Sequence, residues 1–144
     1  MIARAFGMLG MLAAIGLPPA AVAATTAPAA GLSLELNALQ PSETGCRVTF
    51  LATNSLGKPL DKAAFEVALF NAAGGIERLV TLDFKALPEG KTKVLQFDLA
   101  KTPCDGLSRV LINDVAACTG TGVEAGECLA SLTTSNKSTI QFGL

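Results

Sequence analysis

The sequence predicts an all-β domain folded as an antiparallel β-sandwich of about seven strands. Several segments alternate apolar and polar residues with a period of two and are rich in β-branched or aromatic residues. Clusters of Pro, Gly and Asn separate these segments at short spacing. After the N-terminal region, no segment sustains the i, i+3, i+4, i+7 pattern of an amphipathic helix over three turns. Seven short strands joined by turns are typical of a sandwich.

Each predicted strand ends at a turn signal. Residues 71–75 (Asn-Ala-Ala-Gly-Gly) are expected to form a hairpin loop, and residues 87–90 (Leu-Pro-Glu-Gly) a tight turn. The alternation lapses between residues 119 and 134, where residues 123–130 are expected to form a short helical turn or an irregular loop. The predicted strands are residues 32–39, 46–54, 64–71, 76–84, 92–99, 108–115 and 139–142.

The apolar positions of these strands define a predicted core. Phenylalanine must supply the aromatic bulk of this core because the chain contains no Trp and no Tyr. Burying each large apolar side chain stabilises the fold by roughly 1.5 to 3 kcal/mol. The predicted core residues are Val48, Phe50, Phe65, Val67, Leu69, Leu82, Phe84, Leu95, Phe97, Leu99, Val110 and Ile112.

Residues 1–23 predict a cleavable export signal. Arg4 supplies the positive charge, residues 5–17 are uncharged and largely apolar, and Ala-Val-Ala at 21–23 forms a small-x-small cleavage site after two prolines. We therefore expect a periplasmic or secreted protein.

The rest of the chain divides into two parts. Residues 24–31 are predicted to form a flexible spacer. Residues 32–144 are predicted to form a single domain, which is large enough for one hydrophobic core. No apolar stretch after the leader reaches the roughly 18 residues that a membrane helix needs. We therefore expect no membrane span once the signal is cleaved.

The four cysteines, Cys46, Cys104, Cys118 and Cys128, are predicted to form two structural disulfides, since exported proteins mature in an oxidising compartment. Cys104 and Cys118 flank a predicted strand of about 26 Å, whereas bridged Cα atoms lie about 4.4 to 6.8 Å apart. Two of the three pairings remain. We favour Cys46 with Cys104 and Cys118 with Cys128, because the second pair closes a short glycine-rich loop near the C-terminus. The spacing fits neither a zinc site nor a C-x-x-C redox site.

Composition excludes several chemistries. The chain has no His, so Ser-His-Asp and Cys-His catalysis and His-ligated metals are excluded. The formal charge of −1, which becomes −2 when Arg4 is lost with the leader, gives no reason to expect nucleic acid or anionic membrane as a partner. We predict no catalytic, metal-binding or cofactor-binding residue. Composition does not exclude general acid–base catalysis by paired carboxylates. The acidic residues in the least regular part of the sequence are Asp105, Asp114, Glu124 and Glu127.

Residues 48–99 resemble small exported immunoglobulin-like (Ig-like) domains of the FxLYD type and uncharacterised exported alphaproteobacterial proteins that share the flanking cysteines. The resemblance lies in Asn54 before a turn, in Leu-Phe-Asn at 69–71 before a Gly-bearing hairpin, and in Leu-Pro-Glu-Gly at 87–90 before a strand ending in Phe-Asp-Leu. It implies an Ig-like sandwich and an envelope location. It implies no catalytic residue.

Three functions are compatible with these residues. The first is a non-enzymatic interaction or accessory module for an envelope protein, with contacts through an exposed edge strand or through a second apolar face where Ala68 and Phe70 oppose Val67 and Leu69. The second is a secreted inhibitor or toxin-like effector that presents the Cys118–Cys128 loop. The third is a carboxylate-dependent hydrolase acting on envelope glycans. We favour the first.

Overall fold

Two four-stranded β-sheets pack face to face in the computed structural model, which describes residues 21–24 and 29–144. The predicted leader lies outside the described residues as far as position 20, and residues 25–28 of the predicted spacer also lie outside them. Ala21 to Ala24 are exposed and carry no regular secondary structure. The all-β sandwich predicted from the sequence is confirmed.

Residues 21–24 and 29–144 form eight strands, a 3₁₀ turn and one short helix. Most predicted strands are present and extend one to four residues beyond their expected ends. The strands are β1 (Gly31–Pro41), β2 (Gly45–Ser55), β3 (Leu60–Asn71), β4 (Ile76–Leu87), β5 (Thr92–Ala100), β6 (Leu107–Thr119), β7 (Leu132–Asn136) and β8 (Gln141–Gly143). The 3₁₀ turn is Cys104–Gly106, and the helix α1 is Glu127–Ala130, within the segment expected to be a helical turn or a loop.

The first sheet has the strand order β5-β2-β1-β7, and the second has the order β4-β3-β6-β8. Strands β1, β2 and β5 lie in one sheet, and β3 and β6 lie in the other. Ig-like sandwiches divide their strands in the same way, with strands A, B and E in one sheet and strands C and F in the other. The pairs β1/β2, β2/β5, β3/β4 and β3/β6 are antiparallel.

The C-terminal part departs from an all-antiparallel sandwich of about seven strands. Strand β7 was not predicted, and it pairs in parallel with β1. Strand β8 overlaps the last predicted strand and pairs in parallel with β6. Only Leu132 of β7 is buried, so this edge strand has no apolar alternation by which the sequence could reveal it.

Edge-to-face contacts between phenylalanines fill the core. The Phe50 ring lies 5.5 Å from that of Phe84 and 5.3 Å from that of Phe142 between centroids. Ten of the twelve predicted core residues are buried; Leu95 and Phe97 are only partly buried because they lie on the edge strand β5. The predicted list omitted residues from several elements that are also buried: Leu32, Leu34, Leu36, Leu60, Leu87, Leu107 and Leu132.

The helical content of the described part of the chain is small. The helix α1 has four residues, and none of the described residues forms a helix with the length and apolar character needed to cross a membrane.

Candidate interaction surface

The first disulfide joins the two sheets. Cys46, at the start of β2, is bonded to Cys104, which lies in the 3₁₀ turn that leads into β6. Cys46 is fully buried. Arg78 of β4 holds the segment that precedes this turn. Its guanidinium donates hydrogen bonds to the Ala100 carbonyl and, over 3.0 Å, to the Thr102 hydroxyl. This end of the sandwich is cross-braced.

The second disulfide closes the loop between β6 and α1. Cys118 is bonded to Cys128, as the sequence favoured. Lys58, from the β2–β3 turn, donates to the Glu127 carboxylate over 2.9 Å and to the Gly122 carbonyl over 2.6 Å. The hydrogen bond from Lys58 lowers the pKa of Glu127, with a further contribution from the Glu124 backbone N–H. A disulfide and an ion pair therefore hold the loop against the domain. Together, the two disulfides indicate an oxidising, extracytoplasmic environment.

The acidic residues of the least regular part of the sequence lie in three separate places. Asp105 is exposed beside Cys104, Asp114 lies on β6, and Glu124 and Glu127 belong to the loop of the second disulfide. Glu127 is engaged by Lys58. Within residues 21–24 and 29–144, no three Asp, Glu, Cys or His side chains are grouped as a metal ion would require.

The outer face of the first sheet is mostly polar. Thr49 lies opposite Gln96, Thr53 opposite Thr92, and Arg47 opposite Asp98. The last two form an ion pair with 3.0 Å between Arg47 Nε and Asp98 Oδ1. Exposed apolar area is concentrated at one cross-strand pair, Leu51 with Val94. This is the surface of an ordinary solvated sheet.

The outer face of the second sheet carries a continuous apolar band. Ala68 of β3 lies between Leu79 of β4 and Leu111 of β6, and Phe70 lies opposite Ile76. Ile76 is 64% exposed and Leu79 is 52% exposed. We call these five residues the apolar band. The exposed area of the band comes mainly from Ile76 and Leu79, because Ala68 is only 2% exposed and Phe70 and Leu111 are half-buried. Exposed apolar patches mark interaction sites in soluble proteins.

Charged residues lie at the two ends of the apolar band. At one end, the Arg109 guanidinium lies 5.3 Å from the centroid of the Phe70 ring. At the other end, Glu66 and Asp114 are cross-strand partners on β3 and β6. The Glu66 carboxylate accepts a hydrogen bond of 2.6 Å from the Asn113 amide. Neither Arg109 nor these carboxylates forms an ion pair within the described part of the chain.

The edge strand β4 is less open to strand addition than its length suggests. Arg78 points inward from it, and Lys85 adopts a positive φ of 62° where the β3/β4 register shifts. Inward charges and bulges are devices that protect sheet edges from pairing with other chains. The edge of β4 is therefore protected against strand addition.

The sequence pointed to Ala68 and Phe70 but missed the other members of the apolar band. Leu79 and Leu111 could have been found, because each alternates with inward-facing neighbours in its strand. Ile76 could not, because a register shift next to Phe70 turns it to the outer face. Comparison of the chain with protein-family models, curated proteins and solved structures finds no match.

Proposed function

We propose that this protein is an exported, non-enzymatic interaction module that binds another protein through the outer face of its second sheet. The observation that carries the proposal is the apolar band, which leaves two large aliphatic side chains more than half exposed on a sheet face. The first sheet provides an internal contrast, because its outer face carries threonine, glutamine and an ion pair beside the apolar pair Leu51 with Val94.

The composition of this face suits binding. Aromatic residues and arginine are enriched among the residues that dominate binding energy at protein interfaces. The face offers both in the Arg109–Phe70 pair. The alternative surface, the Cys118–Cys128 loop, exposes Thr121, Gly122, Glu124, Ala125 and Gly126, none of which supplies a large apolar anchor.

Two features support a location outside the cytoplasm. The sequence predicts a leader with an Ala-Val-Ala cleavage site, which is typical of exported chains. The two disulfides are the crosslinks that a small domain retains in an oxidising compartment. A periplasmic or secreted module of this size can reach partners in the envelope, in keeping with the resemblance to exported Ig-like domains.

Site-specific photocrosslinking tests the proposal. A photoreactive amino acid replaces Leu79 in the full-length chain, which is produced in its native host, and the envelope fraction is illuminated. The matched control carries the same amino acid at Val94, which is 67% exposed on the outer face of the first sheet. We expect crosslinked protein from position 79 and little from position 94. Equal yields from both positions, or none from position 79, would contradict the proposed interface.

A further inference from the structure

The charges on the outer face of the second sheet are arranged as two complementary halves. Arg109 lies at the end of the apolar band where Phe70 and Ile76 are opposite each other. Glu66, which lies four residues before Phe70 on β3, and its cross-strand partner Asp114 on β6 lie at the other end. The apolar row Leu79, Ala68 and Leu111 separates them. Arg109 thus lies at one end of the apolar row and two carboxylates lie at the other, while Glu77 is exposed next to Ile76 and Lys62 and Lys85 pair with Asp83 beyond the carboxylates.

Within residues 21–24 and 29–144, neither Glu66 nor Asp114 forms an ion pair. Like charges directly opposite each other on neighbouring strands are destabilising, and Glu66 and Asp114 occupy such positions. Within the described residues, the Asn113 amide supplies the one side-chain donor to Glu66, and it carries no charge. Arg109 also forms no ion pair in the described part of the chain, and its guanidinium lies beside the Phe70 ring. Each end presents the charge that the other end lacks.

We propose that the protein bound by this face is a second copy of the chain, packed face to face about a twofold axis. The inference rests on the proposed function, since it names the partner of the same surface. The axis lies in the interface plane along the row Leu79, Ala68 and Leu111 and reverses the strand direction. Arg109 of each copy then lies over Asp114 and beside Glu66 of the other. The interface is isologous, as in most homodimers.

The charges also select this orientation over the other face-to-face arrangement. A twofold axis parallel to the strands and through β3 would leave the strand directions aligned, which places Glu66 over Glu66 and carries Arg109 over Ile76 of β4, away from the carboxylates. Juxtaposed like charges oppose association at an interface. The antiparallel arrangement instead forms both sets of opposite charges at once and buries the apolar rows of the two copies against each other.

The size of the face sets the expected affinity. Four strands at about 4.8 Å spacing and five residues at about 3.4 Å each give a footprint of roughly 19 Å by 17 Å. Interfaces this small fall below the standard size for stable complexes and bind weakly or transiently. The dimer should therefore be reversible, with monomer and dimer both populated at micromolar to submillimolar concentration.

Sedimentation velocity of the oxidised, mature chain tests the dimer. We expect a monomer–dimer equilibrium between low micromolar and several hundred micromolar protein. The variant Arg109→Glu and the double variant Glu66→Lys/Asp114→Lys should each weaken association by about tenfold or more, because each places like charges at both ends of the interface. The control Val94→Lys, on the first sheet, should leave the dissociation constant unchanged.

Mixing the two charge-reversed proteins gives the decisive measurement. A heterodimer of Arg109→Glu with Glu66→Lys/Asp114→Lys has opposite charges at both contacts, so the mixture should associate more strongly than either variant alone. A misfolded variant could not show this recovery, and circular dichroism of each protein before mixing verifies its fold. Failure of the mixture of folded variants to recover association would overturn the arrangement.

Two further outcomes separate this inference from the proposed function. A wild-type chain that remains monomeric throughout the concentration range, while position 79 photocrosslinks to a different envelope protein, overturns the homodimer and leaves the interaction module standing. A monomeric chain that also gives no crosslink from position 79 overturns both.

Discussion

The two disulfides of the molecule stabilise regions of different extent. Cys46–Cys104 connects residues 58 positions apart and links the first sheet to the chain that enters the second. Cys118–Cys128 connects residues 10 positions apart and ties a loop and a short helix to the end of β6. The first crosslink holds the two layers of the fold together, whereas the second orders one peripheral segment.

Chain entropy turns this contrast into an expected ranking. In the loop-closure model, a crosslink across 58 residues stabilises the folded state by about 4 kcal/mol, and one across 10 residues by about 2.7 kcal/mol. The second region has a further restraint, since Lys58 joins Glu127 to the β2–β3 turn. We therefore expect the fold to depend more on the first bridge than on the second, and the loop to keep part of its order when the second bridge is removed.

The largest effect is expected from removing the first bridge. The double variant Cys46→Ser/Cys104→Ser should lose about 4 kcal/mol of unfolding free energy, because the denatured chain regains the freedom of its longest closed loop. It also places two serines at a buried site. Urea denaturation followed by circular dichroism measures the loss. A loss no greater than that of the second-bridge variant would contradict the ranking.

A smaller and more local effect is expected from the second bridge. Cys118→Ser/Cys128→Ser should cost about 2.7 kcal/mol. Backbone hydrogen exchange should increase most between residues 119 and 131, while the strands β2, β3 and β5 lose only the protection that the fall in global stability removes. Global exchange at the rate of the first variant would show that the loop is an integral part of the core.

The same variant tests the inhibitor hypothesis. If the protein acted by presenting the Cys118–Cys128 loop, the change would abolish target binding while the sandwich survives. The interaction module proposed above predicts instead that photocrosslinking from position 79 continues. The two functions therefore give opposite results with one protein.

The smallest effect is expected from the ion pair that supports the second region. Because Lys58 lowers the folded-state pKa of Glu127 below its ordinary value of 4.5, the pair's contribution is complete above about pH 4.5 and is lost as the pH falls through the folded-state pKa. Glu127→Gln should lower the Tm by a few degrees at pH 7, and the difference from wild type should shrink towards pH 3. Thermal unfolding from pH 7 to pH 3 measures this.

The matched variant Lys58→Gln should reproduce that pH dependence, and the double variant should add little to either single change. A difference in Tm that stays constant down to pH 3 would show that Glu127 acts through packing rather than through its charge.

Local pattern was sufficient to predict much of this protein. Strands such as β2 and β3 pack one face against the core, so Val48, Phe50, Phe65 and Val67 recur at every second position and are visible in the sequence. Local reasoning also excluded one cysteine pairing, since the long strand β6 separates Cys104 from Cys118, but it left two pairings open, of which the favoured one is present. These features depend on the order of neighbouring residues along one strand.

Contacts between distant segments decided the rest. Strand β7 exists because an open edge of β1 accepts it, although its own residues are mostly polar. Ile76 faces outward because the pairing of β4 with β3 shifts by a residue, which moves a side chain to the other face. Likewise, Arg109 and Asp114 are close in sequence, but only the fold places them at opposite ends of an apolar band that runs across three strands. Periodicity records which side of a strand is buried, while the neighbours of an exposed side chain are chosen by the pairing of strands far apart in the chain.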